Sequence, residues 1–208
     1  PEFWKWMIHR ARERNPEVLF FAEAYDDDPA KVHGHDPVIS RVDNVMLALL
    51  DAGFHAVYDD PGYDTLEQLY AGRNWANDLQ DIETDLGAFF FDCAIRYTEN
   101  HDEIRLAHPE TWGGNGMQVG RATTGALFGL SRGPVMLYHG QEVGEPGLNS
   151  EGFGGDDQRT SIFDYWSMPE FNKWWNEGAA DGAGLSFEQA QLRKWYVRLL
   201  QLQSMDWK

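Results

Sequence analysis

At 208 residues with 42% apolar side chains, the chain is long enough to bury a core and short enough for one large domain or two small ones. Its formal charge of -17 and pI near 4.6 come from acids spread along its length, which argues against nucleic acid or an anionic membrane surface as partner. No apolar run is long enough to cross a bilayer, and the single cysteine, Cys93, excludes an intramolecular disulfide and leaves the redox compartment open.

The chain opens on Pro1-Glu2-Phe3-Trp4, already inside a helical pattern, as a piece cut from a longer protein would. Phe3, Trp6, Met7 and Ala11 recur at helical spacing and Asn15-Pro16 ends the pattern, so a helix is expected over residues 2 to 14. Val18-Leu19-Phe20-Phe21-Ala22 is a continuous apolar run, the signature of a strand buried on both faces of a parallel sheet. It stops at Glu23-Ala24-Tyr25 and runs into an acidic loop. Residues 33 to 40 hold too many breakers for regular structure. Val42, Val45, Met46, Leu49 and Leu50 restore a helix that Gly53 closes, Phe54 to Tyr58 is a second strand, and Tyr63 to Tyr70 is the next helix.

A further helix is expected over Trp75 to Leu86. The alternating run from Cys93 to Thr98 reads as a third strand and ends in Asn100-His101-Asp102, which brings an acid and an imidazole to a strand end. Thr111 to Gly116 is a Gly-rich loop, Gly120 to Leu130 a small-residue helix, and Pro134 to Tyr138 a fourth strand followed by His139-Gly140-Gln141-Glu142. Glu145 to Gly184 is a polar and aromatic excursion. Phe187 to Met205 closes the chain as an amphipathic helix with Leu192, Trp195, Tyr196, Leu199, Leu200 and Leu202 facing inward.

Repeated strand-helix units of this kind make an α/β parallel architecture, either an open doubly wound sheet or part of a barrel. In both, the carboxyl ends of the strands hold the site. Here those ends carry Glu23, Asp59 and Asp60, His101 and Asp102, and Glu142. No Gly-rich phosphate loop follows any strand, which disfavours a nucleotide site, and no Gly-x-Ser-x-Gly elbow is present. His33-Gly34-His35-Asp36 offers two imidazoles and a carboxylate for a metal but lacks a third well-placed ligand. Carboxylates with nearby Trp and Tyr suit acetal cleavage, where a protonated carboxyl serves the leaving oxygen and an ionised one supports the oxocarbenium-like carbon. Glu23, following an apolar strand, fits the first role, and Asp102, between donors, fits the second.

Phe21-Ala22-Glu23-Ala24-Tyr25, Tyr97-Thr98-Glu99-Asn100-His101-Asp102 and the segment from Pro134 to Gly144 resemble the fifth, seventh and eighth strand signatures of the α-amylase superfamily, glycoside hydrolase family 13. The resemblance implies a partial (β/α)8 TIM barrel, strands five to eight with their helices, over the whole of residues 1 to 208. It implies that Glu23 is the general acid/base, that Asp102 holds sugar hydroxyls and stabilises the transition state, and that His101, Asn100 and Tyr25 bind substrate. Gln141 and Glu142 would shape the rim, and Tyr58, Trp112 and Phe153 are candidate sugar platforms. An α-glucan or oligosaccharide would be the substrate of a retaining hydrolase or transglycosylase. No cofactor is implied in these residues, and any structural calcium would belong to the rest of the parent.

The family's nucleophile lies in a Gly-Phe-Arg-x-Asp type motif at the end of its fourth strand, and no such motif occurs here; Asp43, Asp64 and Asp92 stand in the wrong context. These 208 residues are therefore expected to be inactive alone, with strand edges that a second copy would cover. A non-catalytic carbohydrate-binding or scaffold protein on the same barrel is the alternative.

Overall fold

The computed structural model describes residues 2–24, 44–73, 92–151, 158–160 and 166–203. The chain divides into two compact units. The first comprises Pro1–Thr65, Trp75–Arg96 and Leu130–Met136, and the second Leu66–Asn74, Tyr97–Gly129 and Leu137–Lys208. Among the described residues the architecture is α/β, with a parallel three-stranded sheet and six α-helices. None of those helices is long and apolar enough to cross a membrane.

In the first unit, α1 (Glu2–Arg14) has Glu2 in its first turn and Arg12 and Arg14 in its last, which complements the helix dipole. Asn15 stops it, its side-chain oxygen accepting the Glu17 N–H at 3.2 Å. Only Ile8 of this helix is fully buried, and Phe3 and Trp6, expected on the inner face, are exposed. Ile8 joins Ala22, Met46, Ala52, Phe54, Val57 and Ala94 in the core of the unit. The helix is held by Arg12, whose guanidinium donates to the Gly53 carbonyl at 2.7 Å just past the end of α2 (Asn44–Ala52). Gly53 sits at φ +106°, and a Cβ there would lie 3.3 Å from that same guanidinium, so both the turn and the clasp need glycine.

The strands β1 (Phe21–Ala22), β2 (Ala56–Tyr58) and β3 (Ala94–Ile95) lie in the order β1-β2-β3, all parallel. A parallel bridge from Arg96 to Val135 extends the pairing into the fourth expected strand. The strands are shorter than their apolar runs, and His55 shows why. The Phe20 N–H donates to His55 Nδ1 at 2.9 Å instead of to a strand, so the ladder begins only at Phe21.

At the end of β2, Asp59 is fully buried. Its Oδ1 accepts the Gly62 N–H at 3.1 Å at the start of α3 (Asp60–Tyr70), and its Oδ2 accepts from Arg96 Nε at 3.1 Å. The helix opens on Asp60-Pro61, three residues earlier than periodicity suggests, because Asp59 caps it. This strand-end acid, expected near the site, is a cap and a buried ion pair.

In the second unit, α4 (Val119–Leu130) and α6 (Phe187–Gln203) pack closely at a small residue. A Cβ on Gly120 would stand 3.4 Å from Leu192 of α6. Leu192, Tyr196 and Leu199 are the buried stripe of α6, whereas Leu200 and Leu202, expected to face inward, are 49% and 47% exposed. Between them in sequence lies α5 (Pro169–Trp175). Its first N–H groups, those of Glu170 and Phe171, donate to Oε2 of the buried Glu145 at 2.8 and 3.0 Å.

Burial raises the Glu145 pKa above the ordinary carboxyl value, against the pull of those N–H groups. The folded state therefore binds this proton more readily than the unfolded chain. The resulting stabilisation is complete below the unfolded carboxyl pKa and is lost as pH rises through the folded one. Glu145→Gln keeps an oxygen for the two N–H groups and removes the titration. Its urea midpoint relative to the unaltered chain is expected to rise from mildly acidic to mildly alkaline buffer; a difference that does not move with pH would exclude this account.

Candidate active site

Glu23 follows β1 directly and is exposed. Alternation along the strand explains why the apolar surround expected for it is missing. Leu19 and Phe21, which share its side of the strand, are 61% and 52% exposed, while Ala22 on the other side is buried in the core. The run from Val18 to Ala22 thus buries one face rather than two. Tyr25, the His33–Asp36 run, the Trp75–Leu86 helix and Phe153 lie outside the described residues.

In the second unit the chain beyond β3 turns sharply, and Asn100 makes the turn. Its buried side-chain oxygen accepts the N–H groups of Asp102 at 2.8 Å and Glu103 at 2.9 Å, an Asx turn that sets the two residues after it on the rim. Asn100 Nδ2 is buried with no hydrogen-bond partner among the described residues. His101 Nε2 lies 3.5 Å from Asp102 Oδ2, and Arg159 Nη1 lies 3.9 Å from Asp102 Oδ1. The Asp102 side chain is 37% exposed and that of His101 22%, so both are reachable from solvent while their backbone is fixed. Arg159 reaches this place through an antiparallel bridge to Ile104.

Beneath the rim is a charged support that sequence reading missed. Arg105 is fully buried. It donates from Nη1 to Glu99 Oε1 at 2.9 Å and to the His139 carbonyl at 2.8 Å, and from Nε to Thr160 Oγ1 at 2.6 Å, with its guanidinium 4.4 Å from the centre of the Tyr138 ring. Glu99 Oε2 takes the Leu106 N–H at 2.5 Å. Burial pushes the Glu99 pKa up, and Arg105 opposes it. Glu99 stood in view inside the Thr98–Asp102 motif, but nothing in the local spacing marks Arg105, Thr160 or Arg159 as its neighbours.

Gln141 is a second brace. Its amide nitrogen donates to Thr98 Oγ1 at 2.7 Å and to the Tyr196 hydroxyl at 2.9 Å, and its amide oxygen accepts the Tyr138 N–H at 3.2 Å. The turn Gln141–Val143 that carries it is bracketed by Gly140 and Gly144, both in the left-handed region at φ +88° and +70°. Glu142 Oε2 accepts the Gly140 N–H at 3.0 Å and so closes the same turn. Of the candidate platforms, Trp112 is fully buried and belongs to the core beside Tyr70, which corrects that expectation. Tyr58 is half-buried, its hydroxyl 3.5 Å from Met136 Sδ.

The arrangement presents one solvent-facing carboxyl at the end of β1 and, in the other unit, a braced rim of amide, imidazole and carboxylate. Both can serve hydrogen bonding to a polyhydroxyl ligand. Compared with known proteins, the chain matches no family model, no curated protein and no solved structure.

Proposed function

We propose that the chain carries two corners of a retaining α-glycoside hydrolase or transglycosylase site of the α-amylase type, acting on α-glucans or oligosaccharides. The observation that carries the reading is the Asn100 turn, which fixes His101 and Asp102 as a pair at the carboxyl end of a parallel strand. Two features support it. Among the described residues the strands run in sequential order with parallel pairing, as consecutive strands of a (β/α)8 barrel do. Glu23 also stands just past the carboxyl end of such a strand.

In this reading Glu23 protonates the leaving oxygen and later accepts the proton of the incoming hydroxyl. Asp102 and His101 grip sugar hydroxyls, with contacts that tighten as the ring flattens towards the oxocarbenium-like state. The covalent step needs a nucleophile for which these residues hold no motif. The purified 208-residue chain is therefore expected to bind malto-oligosaccharides without cleaving an aryl α-glucoside. Asp102→Ala is expected to weaken that binding, measured by titration calorimetry, with an unchanged circular dichroism spectrum. Turnover by the chain alone would remove the claim about the nucleophile, and equal sugar affinity with and without Asp102 would remove the site.

A further inference from the structure

The chain is strongly acidic, yet one cleft of the second unit is lined by an excess of cations. It has a volume of about 360 Å³ and runs along α6, which contributes Arg193, Lys194 and Arg198. Trp174 of α5, Leu185 and Asp181 stand among its other lining residues.

Three observations make this more than a solvated helix face. Lys194 and Arg198 are four apart on one helix, a like-charge spacing that costs stability unless something answers it. Among the described residues, no carboxylate lies within ion-pair distance of Arg193, Lys194 or Arg198. Asp181, the acid of the cleft, is engaged elsewhere: its Oδ1 accepts from Asn176 Nδ2 and from the Ala183 N–H, both at 2.9 Å.

The Arg193 guanidinium lies over the Trp174 ring, 4.7 Å from its centre, in cation–π contact. Its Nε–H is buried and has no acceptor among the described residues. A buried donor of a charged group without an acceptor is costly, and a turn of the Arg193 side chain towards an oxyanion in the cleft would supply one. Arginine suits this task because its planar fork matches carboxylate and phosphate oxygens.

We propose that this cleft binds a small organic anion, its oxyanion seated on Arg193, Lys194 and Arg198 and its carbon skeleton against Trp174 and Leu185. The shared chemistry is a multiply charged oxyanion on a compact skeleton, and a phosphate monoester and a dicarboxylate both present it. The site does not depend on the glycosidase reading.

The test is titration calorimetry of the whole chain with glycerol phosphate, inorganic phosphate and succinate in separate runs. At least one of the two organic anions is expected to bind in the millimolar range or tighter. If glycerol phosphate binds better than inorganic phosphate, the skeleton contributes; if succinate wins, the ligand is a carboxylate. Lys194→Gln with Arg198→Gln changes two exposed side chains and is expected to weaken binding by about tenfold or more, the scale of losing charge-assisted hydrogen bonds. Arg193→Gln is expected to do the same, and Arg14→Gln, an exposed cation on α1, to leave affinity unchanged. Failure of all three ligands to bind, or equal weakening by Arg14→Gln and the α6 variants, would overturn the proposal.

Discussion

Arg105→Met is expected to cost about 3–5 kcal/mol of folding stability, the usual consequence of stranding one partner of a buried ion pair. The change leaves Glu99 buried without its cation and takes a donor from Thr160 Oγ1 and from the His139 carbonyl at the same time. Combining it with Glu99→Gln is expected to recover part of the loss. No charge is then left without its counterion, and the glutamine oxygen still accepts the Leu106 N–H. Urea unfolding of the single and double variants measures both numbers. A single-variant loss below about 1 kcal/mol would place the pair with exposed ion pairs, which contribute little, and would refute its role as the support of the rim.

Trp112→Ala is expected to cost about 3–5 kcal/mol as a large-to-small change in a packed interior. Trp112 is fully buried, with its ring 6.1 Å from that of Tyr70. It also holds a positive φ of 51°, a conformation that costs energy in a bulky residue and persists only where packing over-determines it. The next residue leaves no room for adjustment, since a Cβ on Gly113 would come within 2.5 Å of the Tyr70 carbonyl oxygen. The same variant separates core from sugar platform. A core residue lowers the urea midpoint and a platform lowers malto-oligosaccharide affinity at constant midpoint, so the second outcome would reinstate the platform reading.

Three of the four expected strands could be located from the sequence because apolar runs between breakers survive any tertiary arrangement. Their lengths could not, since pairing depends on which N–H groups are free, and the imidazole of His55 takes that of Phe20. Burial on one face or two was equally out of reach, because the run Leu19-Phe20-Phe21 looks the same whether or not something covers Leu19 and Phe21. On α6, Leu192, Tyr196 and Leu199 were found by helical spacing, but Leu200 and Leu202 widened the stripe beyond what the unit buries.

The candidate site divides in the same way. Asn100, His101 and Asp102 form a local turn, so their association follows from adjacency. Asp59 was misplaced because an acid after a strand looks the same whether it faces a substrate or caps the next helix. Arg105 joins Glu99, Thr160 and His139 through tertiary folding alone, and no periodic pattern announces such a meeting.

The Gln141 amide has a consequence for the order of assembly. It joins Thr98, 43 positions earlier, to Tyr196, 55 positions later. Neither loop can be closed cheaply before the other contacts of the unit exist, because closure entropy is spent before a distant contact returns anything. The network that joins Thr98, Gln141 and Tyr196 is therefore completed only when α6 docks, whereas the Gln141–Val143 turn and the Asn100 turn rest on local contacts. An alteration in α6 that slows docking would then delay the bracing of Thr98 without changing Thr98 or Gln141.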